Sequence, residues 1–487
     1  MTVKIIEGFQ LSPQQQRLWS LQQDSLAYQI QGAILIEGNL NREVLKVALQ
    51  NVINRHEILR TTFRRKPGIK VPIQVVADSS ILSCSDINLS NLGSKQQESK
   101  IEEILQKERQ QTFDFEQNPL LRSCLLILSA QKHILLISLP VICADSKTLK
   151  NLVEEICQSY IASLQGEILP DEDEIVQYVQ FSEWQNQLLE DEDGLAGKKY
   201  WEKQDFFGLT PLTLPFENKL SDIPANFEFN SIECKFEPDI TAKIEALAQK
   251  HETSVSTVLL TCWQILLWRL TGQQDIIIGT AFDGRPYEEL ERSLGLFAKY
   301  LPLTCYFETH FKFSEILSQV NQSVHDAYEW QEYFTDTEHD TDIGFLPFGF
   351  EYEEWSSQGL KADVHFSLYK HYICLDRFKV KLSCNRYNDS VVAAFQYDKS
   401  YFLEDDIKRL AERFYTLVES LVSNPEAAAI KLNILSDRER QQLLVEFNHT
   451  AVDYPKETCI HQLFEDQAAR TPDNIAVVFE EQALTYR

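Results

Sequence analysis

His133–Lys150, with the sequence HILLISLPVICADSKTLK, is the stretch that decides the fold. Its apolar beginning is too short to span a membrane and is typical of a buried strand. Pro140 and Val141 end this strand, and Asp145 and Ser146 follow as a helix N-cap before an amphipathic segment. A strand–loop–helix corner of this kind can aim a side chain into a cleft. On this stretch alone, an ordinary buried strand that leads into a helix is the simpler explanation.

Composition and charge narrow the class of protein. The chain has 487 residues, which is enough for more than one core, and 44% of them are hydrophobic. The formal net charge of −27 argues against nucleic acid and anionic membranes as partners, because both are negatively charged. No apolar stretch reaches membrane-spanning length, and no signal region follows Met1. We therefore expect a soluble cytoplasmic protein.

The cysteines predict buried free thiols. The chain has ten cysteines without a CxxC pair, and most of them lie in apolar runs, as expected in a reducing compartment. Cys143 lies in the loop after the buried strand, where a packed core cysteine is a simpler interpretation than a reactive one. The sequence contains no pattern of metal ligands and no nucleotide-binding loop, so we expect no metal site.

Strands and helices are mixed along the whole chain, which predicts an α/β fold. The composition changes near residues 165–175, where Gly166 and Pro170 precede an acidic run. We therefore predict one lobe over residues 1–170 and a second over 171–450, with the apolar helix Val255–Leu270 in its core. A third part, 451–487, contains a helix and a strand, and its last strand from Leu484 is expected to lack a partner.

Several short motifs follow one another in a characteristic order. They are Leu11–Trp19, Arg55–Phe63, Phe113–Arg122, Tyr178–Trp184, Ile278–Arg285, Leu294–Phe297 and Leu301–Leu303. Together they resemble the motifs of a condensation domain of non-ribosomal peptide synthetases. The tail, Phe464–Asp473 followed by Leu484–Arg487, resembles the first motif of an adenylation domain. We therefore expect 451–487 to be a linker and the start of that adjacent domain.

The resemblance implies a fold, partners and a reaction. The fold is two chloramphenicol-acetyltransferase-like lobes in a V-shaped pseudo-dimer with a central tunnel. The partners are peptidyl carrier proteins, each of which delivers its substrate on a phosphopantetheine arm, and the domain itself binds no cofactor. The reaction is the attack of an acceptor amine on a donor thioester, which forms an amide bond.

The chain departs from this family at its central motif, which is His-His, three residues, and Asp-Gly. The aligned residues here are Pro140, Val141, Asp145 and Ser146, so only the aspartate is kept. Valine takes the place of the histidine that faces the attacking amine, and it can neither accept nor donate a proton. A positioned base accelerates a reaction by about 10²–10⁴-fold. The remaining catalytic candidates are Pro140, Cys143 and Ser146 with Val141 itself, whereas His56, His365 and His371 are candidates by residue type only.

Asp145 and Arg285 are a candidate structural pair, because the resemblance implies a bridge between the motif aspartate and the arginine of the fifth motif. An unpaired buried aspartate costs about 3–5 kcal/mol. The resemblance also implies that Gly295, Phe297 and Lys299 line the tunnel, although an asparagine is usual where Lys299 stands.

The segment Glu329–Phe334 replaces the family's seventh motif, so sites on both sides of the expected tunnel have changed. Two functions remain open. One is a divergent condensation enzyme that joins its substrates by proximity or with a displaced base. The other is an inactive platform that docks a carrier protein, an adenylation domain or a tailoring enzyme.

Overall fold

The computed structural model describes residues 8–487 except 23–24, 66–67, 69–70, 83, 118, 168–174, 205, 207–211, 219–228, 336–345, 356–363 and 454. The chain divides into two compact units, Met1–Ile434 and Leu435–Arg487. The predicted boundary between the lobes at residue 170 lies outside the described residues. The predicted boundary after residue 450 remains a prediction, since the division into compact units falls after Ile434.

The helices are α1 (Pro13–Leu21), α2 (Arg42–Arg55), α3 (Ser94–Arg109), α4 (Ser146–Gln165), α5 (Tyr178–Glu190), α6 (Leu195–Lys203), α7 (Pro238–Lys250), α8 (Val255–Thr271), α9 (Phe313–Trp330), α10 (Glu404–Ser423), α11 (Asp437–Gln441) and α12 (Ile460–Arg470). Among the described residues, no helix is both long and apolar enough to cross a membrane.

The strands are β1 (Gln29–Gly38), β2 (Thr61–Arg64), β3 (Ile73–Val76), β4 (Cys84–Asn88), β5 (Arg122–Ser129), β6 (Lys132–Pro140), β7 (Phe229–Lys235), β8 (Asp275–Phe282), β9 (Lys299–Tyr306), β10 (Phe348–Trp355), β11 (Val364–Ile373), β12 (Val380–Tyr387), β13 (Ser390–Asp398), β14 (Ile475–Phe479) and β15 (Gln482–Thr485).

The first sheet has the strand order β11-β1-β6-β5-β4. The predicted buried strand is confirmed as β6, which lies in the middle of this sheet and is buried from His133 to Pro140. β6 pairs antiparallel with β1, so that Pro140 lies opposite Gln29. Because both neighbours of β6 are strands, its backbone groups are paired and its apolar side chains pack on both faces.

One strand of the second half belongs to the first sheet. β11 pairs antiparallel with β1, from Ile373 opposite Ile30 to Val364 opposite Gly38. The sequence pattern identifies a strand near His365 but does not indicate its sheet. The two halves of the sequence are therefore linked through the sheet that leads to the motif segment.

The second sheet has the order β7-β13-β12-β10-β8-β9 and packs around α8. The predicted apolar helix is confirmed, because every residue of α8 from Thr257 to Trp268 is buried. Trp263 donates its indole N–H to the carbonyl of Gly349 in β10, at 3.2 Å. A helix that is apolar on all sides is expected only inside a core.

The unit Leu435–Arg487 corrects one expectation. The last strand, β15, does have a partner, because it pairs antiparallel with β14 and places Phe479 opposite Gln482. Only Glu480 and Glu481 lie between the two strands, and Glu480 has a φ of +53°. A two-residue connection with a left-handed residue is typical of a β-hairpin. The strand therefore pairs within a local hairpin.

Candidate active site

The motif segment is a short turn between β6 and α4. Val141–Cys143 form one 3₁₀ turn, and Asp145 is the N-cap of α4, with its side chain accepting from the N–H of Thr148 at 2.8 Å. Gln15 of α1 donates its side-chain amide to the carbonyl of Ile142 at 3.0 Å. The turn is thus fixed at both ends and held from α1.

The whole segment is closed to solvent. Pro140 is buried, and residues 141 to 145 each have a relative exposure of 0%. The backbone N–H of Val141 points to the carbonyl of Tyr28, at 3.5 Å. The Val141 side chain therefore packs in the core, and no surface of it is open to solvent among the residues that the structure describes.

Asp145 and Arg285 form the predicted contact. Arg285 donates Nη1 to Oδ2 of Asp145 at 2.9 Å and Nη2 to Oδ1 at 3.1 Å, and both side chains are fully buried. The backbone N–H groups of Phe297 and Ala298 also donate to Oδ2, at 2.8 and 3.0 Å. Burial has the largest effect on the pKa of Asp145 and raises it. The charge and hydrogen bonds of Arg285, together with backbone donors, outweigh burial and hold this pKa below its usual value.

This pair connects α4 to the segment before β9. Arg285 also donates to Thr148 Oγ1 at 3.0 Å and to the Ser293 carbonyl at 3.2 Å. Its guanidinium carbon lies 4.2 Å from the ring centroid of Phe297. The Asp145 carboxylate accepts hydrogen bonds from a guanidinium and from several backbone N–H groups, so it holds these backbone segments together. These donors occupy both of its oxygens, which leaves neither of them available to a substrate.

Two of the three expected tunnel-lining residues lie in the core. Gly295 is buried, and a Cβ added to it would come within 2.0 Å of the Tyr178 ring, which explains the glycine at a φ of +153°. Phe297 has an exposure of 0% and packs against Tyr178 and Phe181, with ring centroids 5.1 and 4.6 Å apart. Neither residue therefore faces open space, because each fills the junction between α4 and α5.

Lys299 does line a cavity, which has a volume of about 50 Å³ and is bordered by Arg17 and Phe334. Its ammonium group donates to Glu332 Oε1 at 3.0 Å and to the Gln331 carbonyl at 3.2 Å. The side chains of Lys299 and Glu332 are 7% and 6% exposed. Lys299 and Glu332, at two positions where the sequence predicts a departure from the family pattern, are therefore partners of each other.

A polar cluster assembled from both sheets was not predicted. The Glu353 carboxylate of β10 accepts a hydrogen bond from Lys150 of α4 and interacts with the Ser146 hydroxyl. The Lys150 ammonium lies 4.5 Å from the Trp355 ring centroid, and the Trp355 and His371 rings stack at 4.5 Å. The α4 residues of this cluster lie more than 200 positions before those of β10 and β11, so no local spacing in the sequence links the two groups. Of its members, only Ser146 and His371 are candidates from the sequence.

The titration properties of this cluster limit its chemistry. Burial raises the pKa of Glu353 and outweighs the opposing charge of Lys150, although both side chains keep 25% of their exposure. Burial lowers the pKa of His371 to about 4. His371 is therefore neutral at pH 7, and an imidazole with so low a pKa is a weak proton acceptor at that pH.

The other residues that are candidate bases by residue type lie in β11, in a contact between helices or in the core. His56 is buried and bonds through Nε2 to Glu155, at 2.5 Å, which holds the end of α2 against α4. His365 lies in β11 opposite Glu37 and is partly exposed. Burial raises the pKa of the Cys143 thiol, so this group is protonated at neutral pH. Within the described ranges, no group of His, Cys, Asp and Glu is arranged to hold a metal ion.

The sequence model of the condensation domain matches residues 6–444, which is most of the chain. The chain belongs to the condensation-domain family. Its fold is accordingly α/β with two chloramphenicol-acetyltransferase-like lobes, each built on one of the two large sheets.

The relatives of this condensation domain are much longer proteins. It is 30% identical over 497 residues to bacitracin synthase 1 of Bacillus licheniformis, a match that covers 99% of this chain and 9% of the relative. It is 28% identical over 495 residues to a linear gramicidin synthase of Brevibacillus parabrevis, where the match covers 99% of this chain and 10% of the relative. The chain thus spans about a tenth of the length of these curated relatives.

Two solved structures share the fold. The X-domain from teicoplanin biosynthesis is 20% identical with a TM-score of 0.76, and the match covers 89% of this chain and 99% of that one. A four-domain nonribosomal peptide synthetase bound to AMP and glycine is 15% identical with a TM-score of 0.76. That match covers 99% of this chain and 38% of the synthetase.

Proposed function

We propose that this domain joins carrier-bound acyl or aminoacyl thioesters in an amide bond without an imidazole base at its central motif. The buried Asp145–Arg285 pair carries the proposal, because it keeps α4 and the segment before β9 in one arrangement. Burying an ion pair costs desolvation energy, so we expect this pair to be retained where the fold is still used to hold substrates.

The chemistry of this reaction can proceed by positioning. The amine nitrogen attacks the thioester carbon, a C–N bond forms, the C–S bond breaks, and the released thiolate and the surplus amine proton balance each other. Val141 takes no part in the proton transfer, since it has no lone pair. Holding the two reactants in an attack geometry supplies about 7–11 kcal/mol in favourable cases. A basic amine and an activated thioester therefore need no protein base.

The proposed partners follow from the family. They are two peptidyl carrier proteins, which present their substrates on phosphopantetheine arms, and an adenylation domain in the same polypeptide. Residues 460–485 form a helix and a hairpin, and the match to the four-domain synthetase includes them because it covers 99% of this chain. Both observations support an adjacent adenylation domain as a partner.

A second candidate is a catalytically inactive platform. The complete burial of residues 141–145 favours it, because an amine has no path to this segment in the present conformation. The X-domain is a structural neighbour that has been solved in a complex with OxyB, so a fold of this kind can dock another protein. The platform would bind a carrier protein, an adenylation domain or a tailoring enzyme.

One assay separates the two candidates. Donor and acceptor carrier proteins are loaded, mixed with and without the full chain, and the amide product is followed by mass spectrometry. Faster product formation with the chain supports condensation. Carrier binding without faster product formation supports the platform and rejects the enzyme.

A further inference from the structure

A second cavity lies at the surface, between α5 and the short 3₁₀ turn Glu288–Leu290. It has a volume of about 390 Å³, within the range of about 300–1,000 Å³ that is usual for ligand pockets. Tyr287 on its wall is 48% exposed, so the cavity is open to solvent. A small molecule is usually buried over most of its surface in its own pocket. An open cavity of this size suits instead one side chain that another protein presents.

Aromatic rings form much of the wall of this cavity. Phe181 is buried, and its ring centroid lies 5.8 Å from that of Trp184. The Trp184 and Tyr287 rings are 5.7 Å apart and stand at 89° to each other. In an edge-to-face pair only one ring has a face covered by the other, so aromatic face remains available to a ligand. A cation binds favourably over such a face, because the π electrons attract it.

A carboxylate adds negative charge to the aromatic wall. Glu289 lines the cavity and is exposed, and it makes no ion pair with any residue that the structure describes. Glu291 nearby differs, because its Oε2 lies 2.7 Å from the ammonium group of Lys147. Glu183 and Glu288 add further exposed carboxylates on α5 and the turn. A cation is the ligand that uses both the ring faces and the charge of Glu289.

The chemistry of these walls favours arginine over other side chains. Its guanidinium is planar, so it can stack on an aromatic ring while its N–H groups donate to a carboxylate. The ammonium group of lysine is more strongly hydrated and has no flat face to stack. An apolar side chain would use the rings but would leave Glu289 without a partner.

The cavity is built on a rigid part of the molecule. Phe181 also packs against Phe297, with 4.6 Å between ring centroids, and Tyr287 follows the buried Arg285 by two residues. A wall that is fixed before the ligand arrives lowers the ordering cost of binding. The formal net charge of −27 also favours the approach of a basic partner.

We propose that this cavity is a docking site for an arginine side chain of a partner protein, with the guanidinium against the Trp184 and Tyr287 rings and paired with Glu289. Binding at this site does not depend on amide formation, because it requires only the cavity and a basic side chain.

The test uses the full chain and a blocked arginine, so that no other charge of the probe contributes. The probe is N-acetyl-L-arginine N-methylamide. The corresponding citrulline derivative has nearly the same shape without the charge, and the norleucine derivative is an apolar side chain of similar length. Binding is measured by titration in saturation-transfer NMR. The variants are Glu289→Gln, Tyr287→Leu, and Tyr287→Phe, which keeps the ring.

We expect the arginine probe to bind at least about tenfold more tightly than the citrulline or norleucine probe. Glu289→Gln and Tyr287→Leu should each weaken arginine binding by about threefold to tenfold, and Tyr287→Phe should restore it. A rise in NaCl from about 0.05 M to about 0.5 M should weaken binding of arginine but not of citrulline, because salt screens exposed charges.

Two control variants carry the same changes outside the cavity. They are Glu98→Gln, which replaces an exposed carboxylate on α3 without an ion pair among the described residues, and Tyr306→Leu, which replaces a tyrosine of β9 that is 42% exposed. Both should bind the arginine probe as the wild type does. Melting temperatures are compared for all variants. Glu289→Gln removes no described contact, so it should melt as the wild type does and decides the test if Tyr287→Leu is less stable.

Three results would overturn the proposal: no binding of the arginine probe, equal binding of the citrulline or norleucine probe, or unchanged arginine binding by Glu289→Gln. Failure of the proposed function appears separately, as absent amide product from loaded carriers.

Discussion

Lys299 and Glu332 form a buried ion pair that joins β9 to the turn after α9, with 3.0 Å between Nζ and Oε1. Gln185 of α5 completes the pair by donating to Glu332 Oε2 at 2.8 Å. Lys299 and Glu332 each lie in a segment where the sequence predicts a departure from the family pattern. Either charge alone would be buried without a partner, so we expect the two residues to depend on each other.

Removal of one partner should therefore destabilise the protein more than removal of both. Lys299→Met leaves the Glu332 carboxylate buried without a cation, and we expect it to lower the free energy of unfolding by about 3–5 kcal/mol. Lys299→Met combined with Glu332→Met should recover most of that loss. Urea denaturation measures both, with Lys243→Met in the exposed Lys243–Asp239 pair as the control. A double variant that is no more stable than Lys299→Met would contradict the coupling.

Asp145→Ala should impair folding before it impairs chemistry. It leaves the Arg285 guanidinium buried and removes the acceptor of the Phe297 and Ala298 N–H groups, so a loss of about 3–5 kcal/mol is expected. Thermal and urea unfolding measure this loss. The matched control is Glu426→Ala in the exposed Lys250–Glu426 pair, which should unfold close to the wild type. A well-folded Asp145→Ala protein with wild-type melting would refute the structural role.

His371 predicts a pH dependence of stability. Its pKa is lowered to about 4 by burial, and Glu351, Lys150 and Lys381 are the charged groups that act on it. The unfolded chain binds a proton near the usual pKa of about 6.5, whereas the folded protein does not until about pH 4. Stability should therefore fall as the pH decreases through this window, by up to about 3 kcal/mol.

Comparison of His371→Asn with the wild type isolates this contribution. The difference in melting temperature between the two proteins should change between pH 7 and pH 4, to the advantage of the variant at low pH. His310→Asn is the control, because the His310 side chain is 70% exposed. A constant difference across this range would show that the imidazole is not buried in its neutral form.

Cys143 should be inert to thiol reagents in the folded protein. It has an exposure of 0%, and burial raises its pKa, so neither access nor thiolate is available. Cys459 is exposed and serves as the internal comparison. Brief iodoacetamide treatment followed by peptide mass spectrometry should find Cys459 modified and Cys143 unmodified. Equal modification of both would restore Cys143 as a catalytic candidate.

The sequence predicts the features that depend on local pattern. Continuous apolar runs identify β6 and α8, the amphipathic spacing of apolar residues identifies α4, and Asp145 is a recognisable N-cap. The Asp145–Arg285 contact also follows, because both residues lie in motifs of the family.

Contacts between distant segments are not predictable in this way. The pairing of β11 with β1 joins residues more than 300 positions apart, and strand composition does not specify a partner. The Glu353 cluster likewise joins α4 to β10 and β11, and the Lys299–Glu332 pair joins two segments that are 33 positions apart. The sequence did not predict the burial of Gly295 and Phe297, because the position of a residue in a motif does not indicate whether that residue faces the core or a tunnel.

Amide formation from two loaded carrier proteins tests the central claim most directly, namely that condensation proceeds here without an imidazole base. We predict that the wild-type chain accelerates product formation over the mixture of carriers alone. We also predict that His371→Asn, checked for wild-type folding, retains that rate to within about threefold, well below the 10²–10⁴-fold contribution of a positioned base. A loss of a hundredfold or more in His371→Asn, or no acceleration by the wild type, would contradict the account.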